Sequence, residues 1–237
     1  LNILGFRKFT IKESLEEILI KKWEIYTSQP LIIISYNGPE WIKKIFSNQI
    51  IRSNFFFIYI LADEEPSPGA DGYVFLSYDS FTKYKRNRNK LHLDGAVYPL
   101  RKGKNLKSSI KRKDKIIFFY SGSFFDYTGV KILLEAIELL NEDNFELWIS
   151  GSGNDKFLKK AMKRDKRIKF YGLLSNKKLQ NTYEKADVFL NPRPLNILIN
   201  DISFPSKLFD YLAWDKPIIS TCTKSLAPMY KKILHIV

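Results

Sequence analysis

The sequence predicts an α/β protein of two Rossmann-like domains, each a parallel sheet flanked by helices. Three observations carry that reading. Fully apolar runs alternate with segments of helical periodicity from about residue 10 to residue 77, the alternation restarts at Ile116, and a basic run poor in apolar residues lies between. Parallel strands covered on both faces read as continuous hydrophobic runs, and strand–helix alternation is the pattern of parallel crossovers. The run 101–115 holds Arg101, Lys102, Lys104, Lys107, Lys111, Arg112, Lys113 and Lys115 and reads as a solvated linker. It divides the chain into domains 1–107 and 108–237.

In the first domain, Thr10-x-x-Glu13 is a capping-box pattern followed by Leu15, Ile18, Leu19 and Trp23, which predicts a helix over about 10–24. Residues 31–34 form a strand, and Pro39 opens a second helix with Trp41, Ile42, Ile45 and Phe46 on one face. Residues 55–61 and 73–77 are the next strands. Asp63-Glu64-Glu65 reads as a solvated turn at a strand end rather than a metal or acid–base cluster, and Lys83, Lys85, Arg86, Arg88 and Lys90 as a charged surface.

In the second domain, strands are expected at 116–120, 145–149, 168–171, 188–190, 218–220 and 233–237. Helices are expected at 129–140, from the Gly151-Ser-Gly153 turn to about 164, at 175–185 behind a serine cap, and at 225–232. Residues 193–201 read as an irregular loop. Pro205 and Ser206 then open a helix, with Leu208, Phe209 and Leu212 as its apolar stripe, that Pro217 ends. The start of that helix offers unpaired N–H groups to an anion.

Composition excludes several classes. A single cysteine, Cys222, rules out an internal disulfide framework or thiolate metal cluster, and two distant histidines, His92 and His235, argue against zinc. No apolar run reaches the roughly 20 residues a membrane span needs. The net charge of +14 favours anionic partners without choosing among them.

Six segments occur in an order that resembles the donor half of retaining glycosyltransferases. They are Tyr120-Ser-Gly-Ser123, Gly129-Val130 before Leu133-Leu134-Glu135-Ala136, Leu147-Trp-Ile-Ser-Gly-Ser-Gly153, Phe170-Tyr-Gly-Leu-Leu174, residues 183–193, and residues 204–220. The resemblance is to glycosyltransferase family 4 of the GT-B fold, particularly members that build bacterial surface polysaccharides. It implies sugar transfer with retention, from a nucleoside diphosphate sugar to a glycan or lipid-linked acceptor, with no permanently bound cofactor or metal. Without an apolar run of spanning length or a signal-peptide profile the chain reads as cytoplasmic, and the basic clusters at 83–90 and 101–115 are read either as solvated faces or as a peripheral contact with anionic lipid at the inner face of the membrane. Against that family both domains look truncated: the acceptor-side domain is short and the donor domain lacks its last elements.

Carried over residue by residue, Asp210 matches the second acid of the Glu-x7-Glu pattern, which holds the ribose hydroxyls. The first acid falls at Ile202, so either the register slips by one and the adjacent Asp201 serves, or that role is missing. The family's Arg and Lys that grip the diphosphate fall near Ser123 and Thr128, both uncharged, and Arg193 and Lys207 are the replacements. Gly122, Ser123, Gly151, Pro205 and Ser206 would line the donor site, and Leu173 and Leu174 would meet the nucleobase. His92 is the titratable candidate for acid–base work in the first domain. A glycosyltransferase-like binding or partner protein without catalysis is the alternative. Nucleic-acid binding rests on charge alone, and a nicotinamide site lacks the third glycine after Gly151-Ser-Gly153.

Overall fold

The computed structural model describes residues 31–37, 55–66, 68–86, 89–95 and 115–237. The helices expected at 10–24 and after Pro39, and the boundary at 107/108, lie outside the described residues.

Strands β1 (Leu31–Tyr36), β2 (Phe55–Leu61), β3 (Gly72–Phe75) and β4 (Lys90–His92) form one parallel sheet in the order β1-β2-β3-β4. Alternation along the strands buries Phe57, Tyr59, Leu61, Tyr73 and Phe75 in a single aromatic cluster with Tyr84. The strand expected at 73–77 stops at Phe75 because Ser77 caps a helix, α1 (Tyr78–Lys83): its hydroxyl accepts from the Ser80 amide at 3.3 Å. Two members of the expected charged surface serve this helix. Lys83 pairs with Asp79 at 2.6 Å, and the Lys90 ammonium donates to the Phe81 and Tyr84 carbonyls at its C-terminus.

The second sheet has six parallel strands in the order β10-β9-β8-β5-β6-β7. They are β5 (Ile116–Ser121), β6 (Phe145–Ser150), β7 (Ile168–Phe170), β8 (Val188–Asn191), β9 (Ile218–Ser220) and β10 (His235–Ile236). One core layer joins α2 (Val130–Glu138) and α3 (Lys156–Arg164) through Leu133, Leu134, Ile137, Leu158 and Ala161. The other holds Phe119, Tyr183, Phe189, Leu208 and Tyr211, drawn in part from α4 (Asn176–Lys185) and α6 (Lys207–Leu212).

Several expectations change in detail. Ser175 precedes α4 without a side-chain capping bond. The loop 193–201 runs into a short helix, α5 (Ile199–Ile202), and the helix expected at 225–232 is a 3-10 turn, Pro228–Lys232. α6 ends at Leu212, short of Pro217, and Asp215 takes a left-handed φ of 51° beyond it.

The two units touch. Leu76 and Tyr78 pack against the second domain's core, the Tyr78 amide donates to the Ser225 carbonyl at 3.0 Å, and the buried Ser77 hydroxyl donates to the Asp201 carbonyl at 2.6 Å.

Candidate functional site

In the second sheet the chain leaves β5 toward β6 and β7, then returns to the other side of β5 as β8, β9 and β10. The β5/β8 junction is therefore a topological switch point, where a crevice opens beyond the strand C-termini. A cavity of about 790 Å³ occupies it, within the range of small-molecule sites. Residues after β5, β6 and β8 form one wall, and Tyr36, Ala62, Asp63, Leu76 and Asp94 of the first sheet's domain form the other. The floor demands glycine. A Cβ on Gly151, at φ +147°, would stand 1.7 Å from the Gly122 carbonyl oxygen, so the loops after β5 and β6 meet backbone to backbone.

Two cations face this space. Arg193 follows β8 and is 7% exposed. One guanidinium nitrogen, Nη1, donates to the Ser203 carbonyl at 2.9 Å and to Asn200 Oδ1 at 3.3 Å, while the buried Nε has no hydrogen-bond partner. Burial lowers its pKa, opposed by Tyr120, Tyr127 and, across the cleft, Asp63. Lys207 begins α6, and its buried Nζ has no hydrogen-bond partner. It lies 3.9 Å from the centroid of the Tyr120 ring, whose face favours the protonated form. Burial, and secondarily Arg193, push its pKa down to about 7.

Beneath the cations lies a hydroxyl network. The Ser121 amide donates to Tyr211 Oη at 2.9 Å, Ser121 Oγ lies 3.0 Å from Tyr183 Oη, and Tyr120 Oη donates to the Ser123 carbonyl at 2.8 Å. Burial raises Tyr120 and Tyr183 to about 12, so both stay un-ionised at neutral pH.

Of the residues singled out in sequence, Gly122, Ser123, Gly151, Leu173, Leu174, Arg193, Ser206, Lys207 and Asp210 line the cleft, as does Thr128. Asp201 and Pro205 are not among its lining residues. Asp201 is buried at the seam between the domains, its carboxylate 2.8 Å from Lys224 Nζ and its carbonyl accepting from Ser77. The Pro205 carbonyl accepts from the Leu208 amide, so the turn keeps for itself one of the N–H groups expected to face an anion. His92 is also outside the lining: its ring packs on Tyr78 and Phe81, and Nε2 lies 2.9 Å from Asp94 Oδ1. Sequence reasoning missed Tyr36, Tyr127 and Tyr183, and took Asp63 for a solvated turn. Asp63 carried one signal, its position just past the C-terminal end of a buried strand.

A profile described as "Glycosyl transferases group 1" matches residues 115–232, which hold the switch point and every strand of its sheet but β10. Solved structures resemble nearly all of the chain. A lipopolysaccharide outer core galactosyltransferase, WaaB in its apo form, superposes with a TM-score of 0.65 at 16% identity, covering 93% of this chain and 65% of that one. The fold is GT-B. The N-terminal domain of trehalose-6-phosphate phosphatase from Candida albicans gives 0.67 at 14% identity, over 94% of this chain and 62% of that one. HepE of Anabaena, solved with UDP and glucose, gives 0.55 at 12% identity, over 89% and 65%. The chain thus spans less than two thirds of the length of each of these structures. A comparison with curated proteins gives no match.

Proposed function

We propose that the cleft binds a nucleoside diphosphate sugar and that the protein transfers the sugar, with retention, to a glycan or lipid-linked acceptor. The observation that carries this reading is the pair of buried cations at the switch point. Arg193 Nε and Lys207 Nζ are both buried without hydrogen-bond partners in one cleft. Leaving two such donors unpaired is costly, and a diphosphate supplies acceptors for both. They occupy the role that the uncharged Ser123 and Thr128 cannot fill.

In this reading the diphosphate lies over Gly122, gripped by Arg193 and Lys207, with the ribose hydroxyls against Asp210 and the base along Leu173 and Leu174. Protonated Lys207 and Arg193 stabilise the charge that develops on the departing diphosphate, and the cleft holds the acceptor hydroxyl beside the anomeric carbon. Asp63 and Tyr36 form the acceptor-side wall. The likeness to HepE, a structure solved with UDP and glucose, agrees with such a donor.

Isothermal titration of a nucleoside diphosphate, a nucleoside and free sugar into the protein tests the reading. Diphosphate is expected to bind at least tenfold more tightly than nucleoside, through charge-assisted bonds worth about 1.5–3 kcal/mol each. Equal affinities would remove the diphosphate from the cleft. Tight binding without turnover of any sugar donor would instead favour the non-catalytic binding protein.

A further inference from the structure

The first domain's wall of the cleft is charged opposite to the chain. The protein carries a net charge of +14, yet among the described residues the charged side chains on this wall are Asp63 and Asp94, both acids. Of the acidic run after β2, Asp63 lines the cleft while Glu64 turns back to accept from the Tyr59 hydroxyl at 2.6 Å. The Asp63 carboxylate has no hydrogen-bond or ion-pair partner among the described residues. Asp94 lies at the far side of this wall, its Oδ1 2.9 Å from His92 Nε2.

Beside Asp63 stands Tyr36, the last residue of β1, which lines the cleft and is 62% exposed. Partial burial and, second, the Asp63 carboxylate raise the pKa of its hydroxyl, which stays un-ionised next to that charge. The turn beneath them is built to hold the two together. Asn37 takes a left-handed φ of 46° and its amide donates to the Ile60 carbonyl at 3.0 Å. Its Oδ1 accepts from the Ala62 amide at 2.8 Å and from the Asp63 amide at 3.4 Å. One side chain thus ties the turn after β1 to the turn after β2. Asp63 also acts across the cleft on the Arg193 guanidinium, so ring and carboxylate face the place proposed for the diphosphate.

We propose that the reactive end of the acceptor is an uncharged sugar ring, lying on the face of Tyr36 and donating a hydroxyl to Asp63, and that ends bearing phosphate or carboxylate are rejected. The inference rests on the transfer reaction proposed above and names the class of its acceptor. A pyranose presents C–H groups on its face and hydroxyls at its edge. An exposed aromatic ring covers the first, and a carboxylate without a partner accepts from the second. An anionic end would meet Asp63 and Asp94, and like charges set against each other are what excludes a wrong partner. The cations across the cleft, Arg193 and Lys207, would already be engaged by the diphosphate.

The test is saturation-transfer NMR of the whole chain, without donor, against the methyl glycosides of glucose, galactose and mannose, each paired with its matched methyl uronide. At least one hexoside is expected to bind at millimolar concentration. Its uronide should bind about fivefold more weakly at low salt, a gap that closes as salt screens it. Asp63→Asn is expected to narrow that gap to about twofold. Tyr36→Ala should weaken the hexoside about tenfold, and Tyr36→Phe, which keeps the ring, should leave it near wild type. Circular dichroism checks that each variant is folded. A uronide that binds as well as its hexoside overturns the proposal, as does a gap that Asp63→Asn leaves in place. So does hexoside binding that survives Tyr36→Ala, or the absence of binding by any hexoside. Nucleoside diphosphate is titrated separately into the same proteins. Because the glycosides are read without donor, wild type that fails to bind diphosphate would sink the donor site while the acceptor preference is still measured.

Discussion

Burying the Lys207 ammonium without a hydrogen-bond partner opposes folding, and a bound diphosphate would offset that cost. The linkage has a definite sign. Its folded pKa, about 7, lies below the ordinary 10.5, so between those values the unfolded chain binds more protons and stability rises with pH. Below about pH 7 both states are protonated and the full penalty applies. Diphosphate needs the protonated form, so binding should take up a proton above pH 7 and weaken by up to about tenfold per pH unit. Titrations in buffers of different ionisation enthalpy measure that uptake. Lys207→Met should abolish it, raise the stability of the ligand-free protein at pH 7, and weaken diphosphate binding at least tenfold. A variant that binds as wild type with the proton uptake intact would dismiss Lys207 from the site. Arg193→Ala should weaken diphosphate binding by roughly tenfold to a hundredfold while affecting the uncharged nucleoside far less. Because Arg193 also donates to the Ser203 carbonyl, the same change should lower stability, and an equal loss for both ligands would mean that it acts through loop shape.

At the scale of elements, the strands were legible because continuous apolar runs such as Phe55–Leu61 and Ile116–Tyr120 admit one buried role, and β2 and β5 form where those runs lie. α1 was hidden for a local reason. Its sequence, YDSFTK, carries little helical periodicity, and it is fixed by the Ser77 cap and by Lys90 reaching back to its carbonyls. The second domain's wall of the cleft was readable because loops after parallel strands converge, and Gly122, Gly151 and Arg193 come together at the switch point. The opposing wall depends on how two sheets meet, which no local pattern encodes, so Asp63 and Tyr36 were missed. One contact that places the Arg193 loop is backbone to backbone. A Cβ on Gly129, at φ +80°, would stand 1.7 Å from the Pro192 carbonyl oxygen, and backbone on both sides leaves nothing free to yield. Gly129→Ala should therefore destabilise by more than about 1 kcal/mol in denaturant titrations and weaken diphosphate binding as the loop shifts. Unchanged stability would mean that the α2 start and the β8 loop are not in contact.

The whole molecule turns on the seam where Asp201 sits. Sequence register assigned this residue to the donor; the structure puts it between the domains, its carbonyl held by Ser77 and its carboxylate by Lys224, whose side chain is 64% exposed. The two roles predict opposite outcomes for paired substitutions. Asp201→Asn keeps the carbonyl and removes only an ion pair whose Lys224 end is exposed, away from the cleft lining, so donor affinity should stay within about threefold of wild type. Ser77→Ala removes the bond across the seam and the α1 cap together, and should cost about 1–3 kcal/mol of stability. Because Arg193 and Lys207, the residues proposed to grip the diphosphate, belong to the second domain, its affinity should survive Ser77→Ala. Transfer to an acceptor should fall, because Tyr36 and Asp63 are positioned by the domain that Ser77 anchors. Titration calorimetry on both variants, with turnover measured alongside, makes the comparison. If Asp201→Asn loses donor binding by tenfold or more while Ser77→Ala leaves both stability and transfer intact, then Asp201 is a ligand of the donor and the seam has no part in assembling the cleft.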